Sequence, residues 1–181
     1  TLKNDDPNAE PGGTGTFLIY KDAYIGNKST GDGKVVIDGD GADVIFRQNV
    51  YVGNEGTGNF TVKNIGAVNI SESLIVGSKA SSKNNLVELS TPNGSGPHSF
   101  INAGKVIIGD AGEGALKIFT SGSVSSKTDF IVANQTGSSG SLNLDNGSVS
   151  SKDDFILANG DGTVANVTLS ADSRLRSDKN I

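Results

Sequence analysis

Short apolar runs separated by turn residues recur along the chain, and one stretch in the second half shows the pattern clearly. In residues 114–119 polar and apolar positions alternate, with Leu116 and Ile118 on one face. After a Thr-Ser-Gly turn, a second short strand presents Val124 to the same side, and residues 130–132 form a third, fully apolar strand. No window shows helical periodicity of useful length. The pattern predicts units of three short strands and three turns.

The unit repeats along nearly the whole chain. Residues 122–134 and 147–159 are almost identical, and other units share an ending of two or three apolar residues, a small residue, and usually Asn, Asp or Ser. The small residues stand at positions 26, 53, 77, 109, 133 and 158, with spacings of 27, 24, 32, 24 and 25 residues. A period of this size is typical of solenoid proteins.

A unit this small cannot bury its own apolar face, so successive units must stack. Stacking predicts an all-β fold: a right-handed parallel β-helix of about seven coils, with equivalent strands about 4.8 Å apart. Residues 1–13 are interpreted as an N-terminal loop or cap, and residues 14–181 as one β-helix domain. Two inward columns are predicted, one with Val62, Leu116, Leu142 and Val167, the other with Val68, Val124 and Val149.

The amino-acid composition and net charge exclude several classes of function. Glycine makes up 25 of 181 residues, which fits a chain with many turns, and the absence of cysteine excludes disulfides and thiolate metal sites. A net charge of −5 argues against nucleic acid or an anionic membrane as the main partner. No apolar run has the length of a transmembrane helix. Without a starting Met or a signal peptide, the chain is expected to be a piece of a longer protein.

The repeat motif, Gly-x-apolar-x-apolar followed by Gly-x-Val and then Phe-Ile-Val-Ala-Asn (130–134) or Tyr-Val-Gly-Asn (51–54), resembles bacterial autotransporter passenger domains, especially AIDA-type and self-associating adhesins. The resemblance covers residues 14–181. It implies type V secretion through a C-terminal membrane barrel that these residues do not include, so any membrane contact would be through that domain. It also implies display outside the Gram-negative outer membrane and a role in adhesion, aggregation, biofilm formation or virulence.

The third strands suggest a binding surface. They are apolar throughout, so if their first and last residues point inward, the middle residues point outward as a long apolar stripe. A covering loop (residues 1–13 or 91–98), or a strand bend that tucks the column into a corner, would hide it. The middle residues are Tyr24, Tyr51, Ile75, Ile107, Ile131 and Ile156.

The polar column that follows, including Asn27, Asn54 and Asn134, is interpreted as a ladder of turns in which these residues adopt left-handed backbone or bond their own backbone.

The 32-residue spacing contains an insertion rich in proline and glycine at residues 91–98. Insertions in solenoids lie on one face, often the binding face, although loops also tolerate neutral insertions. The candidate binding residues of this loop are Pro92, Asn93, Pro97 and His98.

Enzymatic and metal chemistry have weaker candidates. Asp129 and Asp154 are expected to stack beside Lys127 and Lys152, a pattern that favours a surface charge ladder over the acid pair of a carbohydrate-active β-helix. Calcium could use Asp38, Asp40 and Asp43, or Asn159 and Asp161, but neither group follows a known calcium-loop spacing. His98 has no partners for a zinc site or a triad. No cofactor and no metal are therefore predicted.

The sequence thus favours a non-enzymatic, surface-displayed adhesin segment that associates with itself or with a host-surface protein or glycan. Two alternatives stay open: a structural stalk that presents another domain, and a carbohydrate-active β-helix.

Overall fold

A computed structural model describes residues 16–39, 42–91 and 98–181, and in these ranges the chain is built of short parallel strands. The N-terminal segment 1–13 lies outside the described residues. In chain order the strands are β1 (Thr16–Ile19), β2 (Ala23–Ile25), β3 (Asp32–Asp38), β4 (Asp43–Phe46), β5 (Val50–Val52), β6 (Thr57–Lys63), β7 (Ala67–Val76), β8 (Asn85–Ser90), β9 (Phe100–Ile108), β10 (Glu113–Phe119), β11 (Ser123–Ser126), β12 (Phe130–Val132), β13 (Ser139–Asp145), β14 (Ser148–Ser151), β15 (Phe155–Leu157), β16 (Val164–Ser170) and β17 (Arg174–Ser177).

The strands stack into a β-solenoid, which confirms the predicted fold class. One sheet has six strands in the order β3-β6-β8-β10-β13-β16, one from each turn. The other eleven strands form two adjacent columns, β1-β4-β7-β9-β11-β14-β17 and β2-β5-β7-β9-β12-β15, because the long strands β7 and β9 each run through both columns. A register shift between Ile70 and Ser73 marks where β7 passes from one column to the other. The described residues make about six turns, close to the seven predicted.

Identical register from turn to turn places equivalent side chains directly above one another. Leu116 pairs with Leu142, which pairs with Val167, and Val124 pairs with Val149, as predicted. The prediction for Val62 was wrong, because Val62 pairs with Leu89 in the neighbouring inward column. The residue of β6 that belongs to the Leu116 column is Phe60, since both Phe60 and Leu116 pair with Val87. The strand carries two inward apolar residues at alternate positions, so sequence alone left a two-residue slip possible.

The turn after each third strand depends on a small residue with left-handed backbone. Gly26, Gly53, Gly77 and Gly109 have φ between 71° and 75°, and Ala133 and Ala158 have φ of 63° and 54°. The left-handed backbone predicted for the Asn, Asp or Ser position therefore belongs to the small residue before it. At Gly26 space is also limited, because an added Cβ would lie 2.0 Å from the Thr57 carbonyl oxygen of the next turn.

The Asn that follows has a different role: its side chain bonds the equivalent side chain of the neighbouring turn. Asn54 Nδ2 donates to Asn27 Oδ1 at 2.9 Å. Farther along, Asn134 Nδ2 donates to Asp110 Oδ1 at 2.7 Å, and Asn159 Nδ2 donates to Asn134 Oδ1 at 3.0 Å. The predicted ladder is therefore present, but its rungs join side chains of successive turns.

The base of the 91–98 insertion is held by buried and partly buried hydrogen bonds. The Ser99 N–H donates to Thr91 Oγ1 at 2.9 Å, and the Ser99 hydroxyl donates to the Ser90 carbonyl at 2.8 Å. The same hydroxyl accepts the Ile65 N–H at 3.1 Å. Thr120 Oγ1 accepts the Thr91 N–H at 3.1 Å. The solenoid therefore continues in register on both sides of the insertion.

The last described turn leaves the ends of core columns open to solvent. Leu144 is fully buried, whereas Leu169, the next residue in its column, is 50% exposed. Leu157 is 44% exposed, although its column neighbour Val132 is fully buried. This end therefore shows how much burial each turn gains from the turn that follows it.

Candidate functional site

The outward column of the third strands forms one continuous surface feature, which we call the apolar stripe. Its members, Tyr24, Tyr51, Ile75, Ile107, Ile131 and Ile156, pair directly from one turn to the next. The strand residues on either side of these rungs point into the core: Val50, Val52, Leu74 and Val76 have no exposed surface. At these rungs the column therefore faces away from the core.

Exposure along the stripe is uneven. Tyr24 is 46% exposed, and Tyr51, Ile75, Ile107 and Ile156 are half-buried. Ile131 corrects the expectation of a uniformly exposed stripe, since it is only 4% exposed. Ile107 and Ile156 occupy the rungs on either side of it, and a spacing of about 4.8 Å between strands lets these branched side chains cover its flanks. The accessible part of the stripe is thus concentrated at the tyrosine end.

The two tyrosines of the stripe stack on each other. Their ring centroids are 4.9 Å apart and the ring planes differ by 5°. This separation matches the spacing of neighbouring parallel strands, so the stack follows directly from the shared register of β2 and β5. Among the described residues β2 pairs only with β5. Within the part of the chain that the structure describes, no rung therefore lies against the face of the Tyr24 ring turned away from Tyr51.

Polar groups surround this ring pair. The Tyr24 hydroxyl donates to Asp22 Oδ2 at 3.3 Å, while Asp22 Oδ1 accepts the backbone N–H of Asn49 at 3.0 Å. Asn49 Nδ2 also donates to Glu72 Oε2 at 2.9 Å. Partial burial first, and then the Asp22 carboxylate, raise the pKa values of Tyr24 and Tyr51. Both phenols therefore stay neutral hydrogen-bond donors at physiological pH.

The acidic column considered for catalysis is paired along the solenoid axis. Lys105 Nζ lies 3.0 Å from Asp129 Oδ2, and Asn180 Nδ2 donates to Asp154 Oδ1 at 2.8 Å. The partners thus come from turns before and after the two acids, and Lys127 is exposed beside them. Asp129 therefore pairs with Lys105 and Asp154 with an amide, so the predicted charge ladder with Lys127 and Lys152 is replaced by contacts along the stack.

The calcium candidates also have partners within the fold. Asp38 Oδ2 lies 3.0 Å from Lys63 Nζ, and Asp43 Oδ1 accepts from Asn69 Nδ2 at 3.4 Å. Asn159 belongs to the turn ladder, and Asp40 lies outside the described residues. Within residues 16–39, 42–91 and 98–181, no three His, Cys, Asp or Glu side chains come together as a possible metal site.

The predicted binding loop is only partly described. Pro92, Asn93 and Pro97 lie outside the described residues, whereas His98 is exposed. His98 lines a shallow cavity of about 280 Å³ with Ser121, Asn146, Asp172 and Arg174 from the turns that follow. The loop base therefore borders a concavity to which later turns contribute polar side chains.

Sequence reasoning placed Tyr24 and Tyr51 on the stripe but missed the polar groups beside them. Asp22 and Glu72 were overlooked because they do not share a position: Asp22, like Asn49, stands one residue before its third strand, whereas Glu72 lies within β7, two residues before Leu74. The position before each third strand, read as a column, was the available signal.

The described part of the chain contains no helix long and apolar enough to cross a membrane. No protein-family model, curated protein or solved structure matches the chain. The likeness to autotransporter passengers thus rests on the repeat residues themselves and stays a prediction.

Proposed function

We propose that this β-solenoid is a non-enzymatic adhesin segment displayed at the surface of a Gram-negative cell, in the manner of an autotransporter passenger. It makes contact with another copy of itself or with a host-surface protein or glycan, and the apolar stripe is the contact surface. The observation that carries the proposal is the continuous register of the stripe through six rungs, flanked at its four central rungs by fully buried core residues. A solenoid repeats one rung many times, which suits contact that sums many weak interactions.

The polar side chains support contact over catalysis. The carboxylates of Asp129, Asp154 and Asp38 are each engaged by a cationic or amide group from a neighbouring turn. Groups paired in this way stabilise the stack and hold no common ligand. The proposed role is therefore non-enzymatic and needs no cofactor.

The test is sedimentation velocity of the 181-residue chain over a concentration series, at low and high salt. The triple variant Tyr51→Ser, Ile75→Ser, Ile107→Ser is expected to abolish reversible self-association while keeping the far-UV circular dichroism of a β fold. A matched control, Leu86→Ser with Phe119→Ser, changes half-buried apolar positions on the six-stranded sheet. Unchanged association in a folded triple variant would refute the stripe as the contact surface.

A stalk that presents another domain is the second candidate. The observation in its favour is the regular side-chain ladder of Asn134 with Asp110 and Asn159, which stiffens the stack without a ligand. A chain that stays monomeric at every concentration and binds neither cells nor immobilised host-surface glycoproteins would favour the stalk.

A further inference from the structure

All three tyrosines of the chain lie at one end of the solenoid, close to the first described turns. Tyr24 and Tyr51 stack, and Tyr20, in the turn just before β2, is 70% exposed. A stacked, solvent-facing aromatic pair is unusual on a surface whose other outward columns hold mainly Asn, Ser, Thr and charged residues. Exposed aromatic side chains grouped in this way mark binding sites, because they offer large apolar faces at a low entropy cost.

Ring geometry restricts what can bind. Among residues 16–39, 42–91 and 98–181 no rung covers the Tyr24 face turned away from Tyr51, and a flat apolar ligand face can lie against it. The Tyr24 hydroxyl lies at the ring edge and is fixed toward Asp22 by a 3.3 Å hydrogen bond. The ligand therefore needs an apolar face and polar groups at its rim.

The polar rim restricts the ligand further. Asp22 and Glu72 present carboxylate oxygens, which accept hydrogen bonds and repel anions. Asn49, which donates to both carboxylates, holds them in place. A pyranose ring meets all these requirements, since its C–H face is apolar and its hydroxyl groups donate around the edge. An anionic sugar or a nucleic acid would be repelled.

We propose that Tyr24, Tyr51 and Asp22, with Tyr20 beside them, form a subsite for an uncharged hexose unit of a glycan. The sugar stacks on the outer face of Tyr24, and its hydroxyl groups donate to Asp22, while the Glu72 carboxylate farther along the stripe adds to the repulsion of anions. This assignment rests on the contact function proposed above and names a neutral glycan as the partner at the tyrosine end of the stripe.

The chain carries its own reporter for this subsite. It has no tryptophan and three tyrosines, all in the proposed patch, so intrinsic tyrosine emission reports on these residues alone. The full chain is titrated with maltotriose, cellotriose and triacetylchitotriose, and with trigalacturonate as the anionic counterpart. We expect saturable quenching by at least one neutral trisaccharide at millimolar concentration and none by trigalacturonate.

Two substitutions at one position separate ring stacking from hydrogen bonding. Tyr24→Leu, which keeps apolar bulk but loses the flat face, is expected to weaken binding roughly tenfold, because burial of one ring face is lost. Tyr24→Phe keeps the ring and is expected to bind within about threefold of the wild type. Leu18→Ala, at an exposed apolar residue of β1, is the matched control and should bind normally.

The subsite is refuted if no neutral trisaccharide quenches the emission, if trigalacturonate binds as well, or if folded Tyr24→Leu binds like the wild type. These outcomes are distinct from failure of the adhesin proposal, because Tyr24→Leu leaves Tyr51, Ile75 and Ile107 intact. Loss of sugar binding with normal self-association would confirm the subsite, whereas absence of sugar binding with stripe-dependent association would leave the contact function standing alone.

Discussion

Asn85 is a buried polar residue whose removal tests how the turns are joined. It occupies a column in which neighbouring turns carry Gly114 and Gly140, and it is 2% exposed. Its Oδ1 accepts the Gly58 N–H at 2.9 Å, and its Nδ2 donates to Ser82 Oγ and to the Glu113 carbonyl, both at 2.7 Å. A single side chain thus links the turn before it with the turn after it.

The expected cost of Asn85→Ala follows from these three bonds. The Gly58 N–H loses the acceptor that Asn85 supplies, which costs about 1–3 kcal/mol for a buried donor, and each lost bond to Ser82 and Glu113 adds about 0.5–1.5 kcal/mol. Ser82 keeps its own acceptors, the Gly53 and Gly56 carbonyls at 2.6 and 3.0 Å, so no further group is orphaned there. The free energy of unfolding should fall by about 3 kcal/mol.

The assay is urea unfolding followed by far-UV circular dichroism. Tyrosine emission, which reports on the first turns, serves as a second probe, and coincident transitions justify a two-state treatment. Asn143→Ala, in the outward column of the same sheet, is the control and should change the free energy of unfolding by less than about 0.5 kcal/mol. A loss of under about 1 kcal/mol for Asn85→Ala would refute the view that this network joins the turns.

A double-mutant cycle with Gly53 sharpens the same test. A Cβ added at Gly53 would lie 1.7 Å from Asn85 Oδ1, and φ at this residue is +74°. Gly53→Ala therefore combines a clash with backbone strain in the wild type, whereas the Asn85→Ala background removes the clash with these side-chain atoms and leaves backbone strain of about 1–2 kcal/mol. A coupling energy near zero would show that the two residues do not share this space.

Three further predictions concern a side-chain ladder, a buried aromatic stack and the titration of a tyrosine. Asn134→Ala breaks the bonds to Asp110 and Asn159, so the free energy of unfolding in urea should fall by about 1 kcal/mol, and no change would contradict a structural role for the ladder. Phe130 stacks on a buried phenylalanine with a centroid separation of 5.0 Å, so Phe130→Ala should cost about 3–5 kcal/mol in the same assay, with Phe130→Leu losing less. Because burial and then Asp22 raise the pKa of Tyr51 in the folded state, its stabilising contribution is intact below pH 10.0, the unfolded value, and is lost as pH rises through the folded pKa. An absorbance titration of tyrosinate in the wild type and Tyr51→Phe checks this, and an ordinary pKa for Tyr51 would contradict it.

The period and the strands could be predicted because each turn must bury its apolar face against the neighbouring turns. Ser123–Ser126 and Phe130–Val132 are strands within one residue of the prediction, since β-branched and aromatic runs bounded by turn residues leave few alternatives. The outward direction of the stripe followed from Val50 and Val52 being required in the core. Repetition reduced the ambiguity of each strand assignment, because a wrong assignment in one unit would have disagreed with the equivalent strands of the other units.

The errors occurred where turns differ from one another. Val62 was assigned to the wrong inward column because both columns are apolar and only the turn lengths, which vary, fix the register. Asn85 gave no signal, since its chemistry depends on Gly58 and Glu113, which are 27 and 28 residues away. The partners of Asp129 and Asp154 were missed for the same reason.

In a solenoid the regular polar positions hold the stack together, whereas a change in the repeating pattern can concentrate contact at one end of the stripe. Asn134 and Asp129 illustrate the first part, since their polar atoms bond adjacent turns. Tyr24 illustrates the second: its column continues as Tyr51 and then as isoleucine in later turns, and at the first described rung it presents a stacked aromatic ring that is 46% exposed. If contact were spread evenly along the stripe, Ile131, at 4% exposure, would contribute as much as Tyr24. Comparing Ile131→Ser with Tyr24→Leu in binding therefore separates a uniform adhesive face from a site concentrated at the tyrosine end.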